Sequence, residues 1–199
     1  MSTRVEFWFD TACPWTWITS RWLQEVAQLR GFEVRWRPFS LDILNEGNKE
    51  WQESHLGTGT LREIAQLTMK LAECEGNARL DEFYTNFGRA VYNDGRVFGW
   101  EVAAEVLDAM GIPTNYGNDA QRWDNALRES TQEALARVGH EVGVPVIAFD
   151  EVAFFGPVIS PAPHGQEALD LWDGCVALAK TPGFFELKRS RGEAGPIFD

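Results

Sequence analysis

The first 38 residues constrain the fold more than any other stretch. Residues 4–9, RVEFWF, form a short, mostly apolar run that reads as a strand. The turn DTA follows, then Cys13 and Pro14. Proline is favoured at the first helical position, because its missing N–H would have no intrahelical partner there. From Pro14 onward Ile18, Trp22, Val26 and Leu29 recur at helical spacing, and Gly31 supplies the stop. Residues 32–38, FEVRWRP, alternate Phe32, Val34 and Trp36 with Glu33, Arg35 and Arg37. That is the period-two pattern of a strand with one polar face. The chain therefore opens β-α-β, with Cys13 at the N-terminus of the helix.

Strand patterns then vanish. From about residue 47 to 140 the segments LREIAQLTMKLAECEG, LDEFYTNFGRAVYN, WEVAAEVLDAMG and DAQRWDNALRESTQEALARVG carry helical periods, closed by Gly or Asn. Three to five helices are expected there. Strand composition returns in GVPVIAFDEVAFFGP, residues 143–157. Val146–Phe149 and Val152–Phe155 are expected to pair as a hairpin across Asp150-Glu151, a dipeptide poorly suited to a primed turn. A last helix covers about 164–180, with Leu169, Trp172, Val176 and Ala179 on one side.

Charge narrows the partners. The net charge is −12, from 30 acidic and 18 basic residues, and no Lys/Arg cluster offsets it. Nucleic acid and anionic membrane surfaces are polyanions, so neither is an expected partner. The short basic stretch LKRSR, residues 187–191, reads as a solvated tail. No apolar run approaches the roughly 20 residues of a membrane helix. The opening MSTRVEFWFD shows no apolar h-region with a cleavage site, the pattern expected of a cytoplasmic protein. Cys13, Cys74 and Cys175 do not make a disulfide framework, and no C-x-x-C pair or His/Cys cluster points to a metal.

The order β-α-β, helical block, β-β-α is that of an α/β thioredoxin fold with a large all-helical insertion, and it resembles the DsbA superfamily. The expected organisation is a thioredoxin-like domain from 1–45 and 141–199, with the insertion at 46–140. The motifs FWFDTACPWTWITSRW, VYN, WDNALRES, GHEVGVPVIAFDEVAFFGPVIS and FFELKRSR are similar to the actinobacterial mycothiol-dependent nitroreductase group of that superfamily. The similarity runs from near residue 5 to the C-terminal FD and is weakest over 46–80. That family's active site is C-P-W-C; here Thr16 takes the fourth position. The resemblance implies a thiol-disulfide oxidoreductase that draws electrons from mycothiol and reduces nitro-aromatic compounds. It implies no tightly bound cofactor, a low-molecular-weight thiol (mycothiol or glutathione) as cosubstrate, and small aromatic or disulfide substrates. It also implies that Pro145 is cis and faces Cys13, with the Val144 backbone pairing an extended thiol ligand as an added strand would. A homodimer is the assembly to test.

The residues themselves specify a chemistry. At a helix start, unpaired N–H groups and the positive end of the dipole stabilise a thiolate, so Cys13 is expected to have a lowered pKa. Thr16 falls one turn on, where its hydroxyl can donate to the Cys13 sulfur but cannot form a disulfide. A dithiol closes its cycle internally, whereas Cys13 would need an external thiol to resolve a mixed disulfide. Pro14 and Trp15 complete the helix start, Trp15 facing out over the site and Trp17 packing against the insertion. Asp10 is expected to order the turn before Cys13. Cys74 and Cys175 lie on apolar helical stripes and are expected in the core. His55 and His140 read as surface residues as readily as catalytic ones. Two other functions share the pattern: a kappa-type glutathione transferase or chromene-carboxylate isomerase relative, which activates a bound thiol without redox, and a non-catalytic binding paralogue.

Overall fold

The computed structural model describes residues 4–54, 59–191 and 195–198. The opening unit forms β1 (Val5–Phe9), α1 (Pro14–Arg30) and β2 (Val34–Pro38). Cys13 caps α1 with an extended backbone, and Pro14 is its first residue. At the other end Gly31 turns left-handed, φ 71°, and its N–H closes on the Ala27 carbonyl at 2.9 Å. Only glycine enters that region without strain, which is why the helix stops there.

The middle of the chain forms α2 (Leu41–Leu44), α3 (Lys49–Ser54), α4 (Thr60–Cys74), α5 (Asn77–Gly88), α6 (Trp100–Ala109) and α7 (Asp124–Val138). A π-helical turn at Arg89–Asn93 extends α5, and a 3-10 stretch at Thr114–Trp123 leads into α7. Then come β3 (Val146–Phe149), β4 (Val152–Phe155) and α8 (Gly165–Ala179). The β3–β4 turn works because Asp150 takes a positive φ of 54°, which a short polar side chain tolerates. Its N–H donates to the Arg4 carbonyl at 2.9 Å, and its Oδ1 accepts the Arg4 N–H at 2.8 Å.

The described strands make one sheet in the order β2-β1-β3-β4. β1 runs parallel to β2, with Phe7 opposite Trp36, and antiparallel to β3, with Phe7 opposite Ile147. β3 and β4 are antiparallel, Ile147 opposite Phe154. Alternation sends Val5, Phe7, Phe9, Ile147 and Phe149 to one face, where they meet Ile18 and Trp22 of α1 and Trp172 of α8. Trp8, Val146 and Ala148 face the other way, against Ala134 and Leu135 of α7. The indoles of Trp22 and Trp8 are satisfied: Trp22 Nε1 donates to the Ala168 carbonyl at 3.0 Å, and Trp8 Nε1 to the Ser130 carbonyl at 3.1 Å. Apolar residues of the insertion, among them Ile64, Leu67, Leu80, Phe83 and Phe87, continue the first of these cores. The β2 edge is closed by a single side chain. Asn77 Oδ1 accepts the Trp36 N–H and its Nδ2 donates to the Val34 carbonyl, both at 2.8 Å, as a neighbouring strand would.

Two side chains depart from the sequence pattern. Leu29 holds helical spacing on α1 yet is 53% exposed, because the core ends a turn earlier at Val26 and Ala27. Cys74 is the last residue of α4 and is exposed rather than packed. No helix among the described residues is long and apolar enough to cross a membrane.

Candidate active site

The site is built on the loop from β1 to α1. Asp10 is buried there, and both carboxylate oxygens are used. Oδ1 accepts the Ala12 N–H at 2.9 Å, and Oδ2 accepts the Leu41 N–H at 2.7 Å. The Asp10 carbonyl accepts the Cys13 N–H at 3.0 Å. One residue thus orders its own turn and ties it to the loop after β2. Burial pushes the Asp10 carboxyl up to about 6, with the two backbone donors opposing. From the insertion, Tyr92 Oη donates to the Thr11 carbonyl at 2.7 Å.

Cys13 is 7% exposed. Its Sγ donates to the Val144 carbonyl at 3.8 Å. The Val144-Pro145 bond is cis, and the Pro145 carbonyl is held by the Gly156 N–H at 2.8 Å. Pro14 and Trp15 are half-buried, and Trp15 packs at the border of the apolar cluster that holds Cys13, Phe39 and Val144. The candidate residues Cys13, Pro14, Trp15, Thr16, Val144 and Pro145 therefore converge from two chain segments more than a hundred residues apart.

The thiol's ionisation differs from the expectation set by its place on the helix. Burial is the largest influence, and it pushes the Cys13 thiol up rather than down. The Thr16 hydroxyl and the Thr16 and Trp15 N–H groups pull it down, and Asp10 pushes it further up. The local donors that the sequence identifies are present, but enclosure by distant residues outweighs them. Thr16 itself is fully buried, and its Oγ1 has no hydrogen-bond partner of regular geometry. The two facts about Thr16 agree once the charge state is specified. The neutral thiol spends its proton on Val144 and offers Thr16 only a weak acceptor; a thiolate is the strong acceptor that the hydroxyl lacks.

Trp17 faces the insertion. Its Nε1 donates to Asn93 Oδ1 at 3.2 Å, its ring stacks on Tyr92 at 5.9 Å, and the Arg21 guanidinium lies 4.1 Å from its centroid. Trp15 instead carries the Arg191 guanidinium over its ring, 4.6 Å from the centroid. Residues 187–191 are all exposed, as expected of a solvated tail, and Arg191 adds this contact with Trp15. Nothing periodic in the sequence announces this contact, nor the Tyr92–Thr11 bond, since both join residues far apart in the chain. Cys175 is half-buried, and burial raises its thiol to about 11. His140 is exposed; His55 lies outside the described residues. Among the described residues no group of three or more His, Cys, Asp or Glu side chains could hold a metal ion.

A thioredoxin fold interrupted by a helical insertion, with a cysteine at the start of α1 against the residue before Pro145, defines a DsbA-like protein. Solved structures agree on the fold. A probable DsbA oxidoreductase, SCO1869 of Streptomyces coelicolor, is 20% identical with a TM-score of 0.59 over 98% of this chain and 97% of its own. A 2-hydroxychromene-2-carboxylate isomerase is 17% identical, TM-score 0.58, over 87% and 94%. The cytosolic disulfide reductase DsbM of Pseudomonas aeruginosa, solved with GSH, is 15% identical, TM-score 0.52, over 87% and 99%. The family profile described as "Rv2466c-like: Mycothiol-dependent nitroreductase Rv2466c" matches residues 12–189. The uncharacterized protein Rv2286c of Mycobacterium tuberculosis is 30% identical over 203 residues, which cover 96% of this chain and 84% of that protein. The chain belongs to the Rv2466c-like family.

Proposed function

We propose that this protein is a thiol-disulfide oxidoreductase working through the single thiol of Cys13. A low-molecular-weight thiol such as mycothiol is its cosubstrate, and small disulfides or nitro-aromatic compounds are its substrates. The observation that carries the reading is the setting of one sulfur atom. Cys13 Sγ lies at the start of α1, 3.8 Å from the Val144 carbonyl, beside a buried Thr16 hydroxyl that lacks an acceptor. Family membership supports the same chemistry.

The steps follow from that setting. The Cys13 thiolate attacks one sulfur of a small disulfide, a Cys13 mixed disulfide forms, and the other half leaves as a thiolate. A second small thiolate attacks the mixed disulfide and returns Cys13 to its starting form. Thr16 donates to the sulfur while it is charged. The Val144 carbonyl, released by the departing thiol proton, accepts an amide N–H of the ligand. Neither Cys74 nor Cys175 belongs to the cluster around Cys13, so resolution comes from outside the chain. Three free cysteines suit a reducing compartment such as the cytoplasm.

One observation favours a second reading, a non-catalytic binding protein: burial holds Cys13 neutral in the unliganded protein. Turnover separates the two. Reduction of a small disulfide by mycothiol or glutathione, abolished by Cys13→Ser, is the expected result. No turnover with any small thiol would leave the binding reading. Conjugation of the thiol without its oxidation would place the protein with the transferase-like relatives.

A further inference from the structure

The C-terminal segment returns across the mouth of the site. Phe184 meets Phe154 of β4 edge-on, with centroids 5.7 Å apart. Arg191 then stacks on Trp15. Further on, the Ile197 N–H donates to Ser160 Oγ at 2.8 Å, Ser160 Oγ donates to the Gly195 carbonyl at 3.5 Å, and the Phe198 ring packs 5.3 Å from Tyr92. Trp15 borders the thiol's own cluster, and Tyr92 holds the carbonyl two residues before Cys13. The segment is thus anchored on both sides of Arg191, to Phe154 before it and to Ser160 and Tyr92 after it.

Charge gives that placement a consequence. The protein is strongly acidic, yet this segment carries Lys188, Arg189 and Arg191, and it sets Arg191 on Trp15 at the border of the thiol's cluster. Among the described residues Arg191 has no carboxylate partner; its contact is the Trp15 ring. A stacked guanidinium uses its flat face and leaves its in-plane N–H donors free. A fork of donors beside an indole, at the entrance to a reactive sulfur, matches an aromatic or thiol ligand that carries a carboxylate.

We propose that Arg191 is the specificity-determining residue of the site and selects small substrates bearing an anionic group. The proposal rests on Cys13 being the reacting thiol. The ligand's ring lies beside Trp15, its carboxylate meets the edge of the guanidinium, and its sulfur reaches Cys13. The anchored segment fixes the cation, so little side-chain freedom is lost when the anion arrives.

Two aromatic disulfides test this: 5,5′-dithiobis(2-nitrobenzoate), a dianion, and 2,2′-dithiodipyridine, which is neutral. Both form a Cys13 mixed disulfide and release a coloured thiolate or thione. The parent protein carries Cys74→Ser and Cys175→Ser, so the signal comes from Cys13. Relative to the neutral probe, the rate with the dianion is expected to fall roughly threefold in Arg191→Ala and about tenfold in Arg191→Glu, with Arg191→Lys between parent and alanine. The difference is expected to shrink as salt rises. An unchanged ratio of the two rates in all three variants overturns the role of Arg191 and leaves Cys13 as the reactive thiol. Failure of both probes to label Cys13 in the parent overturns the reading of Cys13 itself, and this proposal with it.

Discussion

Gly88→Ala sets two known effects against each other. Gly88 ends α5 with ordinary helical angles, φ −64° and ψ −39°. Propensity alone makes alanine better there by roughly 1 kcal/mol. The packing reverses the sign. A Cβ on Gly88 would stand 2.2 Å from Trp17 Cζ3 and 2.3 Å from Cε3, where carbon atoms need about 3.5 Å. The indole has nowhere to go, because Asn93, Tyr92 and Arg21 hold it on its other sides. Overpacking of this kind costs about 1–3 kcal/mol, and loss of the Trp17–Asn93 hydrogen bond adds about 1 kcal/mol. The expected net destabilisation is about 2 kcal/mol, read from urea unfolding as a lower midpoint with an unchanged slope. Gly174→Ala, inside α8 with nothing within 4 Å of the new carbon, is the control and is expected to gain up to about 1 kcal/mol. If Gly88→Ala stabilises the protein as Gly174→Ala does, the close approach of α5 to Trp17 is wrong. The position of the insertion against α1 is then wrong with it.

Other outcomes follow from the same geometry. Asp10 is harder to ionise in the folded chain than in the unfolded one, so its contribution to stability is full at acid pH and is lost as pH rises through about 6. The stability of the protein relative to Asp10→Asn is therefore expected to fall by up to about 3 kcal/mol between about pH 4 and pH 7, measured by urea unfolding at each pH. Thr16→Val removes a donor to the thiolate, so the alkylation rate of Cys13 against pH is expected to shift to still higher pH; a shift downward would show that the hydroxyl does not support the charge. Asn77→Ala strips two hydrogen bonds from the β2 edge and is expected to cost about 1 kcal/mol. Light scattering is expected to show concentration-dependent association through the opened edge.

The parts of the fold that were legible in the sequence are those set by local punctuation. Pro14 after Cys13, Gly31 after Arg30 and the alternation in FEVRWRP each act on their own neighbours, and β1, α1 and β2 follow them. Periodicity was weaker evidence of burial. It places Leu29 and Cys74 on apolar stripes, but it does not say where the covering element stops. The hairpin needed a residue able to take positive φ, and Asp150 supplied it where the dipeptide looked unfavourable. At the site, the sequence shows the helix start and its donors. It does not show the enclosure by Phe39, Val144 and Trp15 that reverses the shift in the thiol's pKa. Tyr92 and Arg191 reach the site from elements without any shared period, and only the folded chain brings them there.

The central claim is that Cys13 reacts and an outside thiol resolves it. Because Cys74 is exposed, a whole-protein adduct mass alone does not identify the reacting sulfur. The direct measurement uses protein carrying Cys74→Ser and Cys175→Ser, treated with oxidised mycothiol and, in parallel, oxidised glutathione, followed by intact mass and peptide mapping. The account predicts one adduct on the peptide containing Cys13, released by the reduced thiol and absent in Cys13→Ser. A folded protein that takes up no adduct from either disulfide contradicts it.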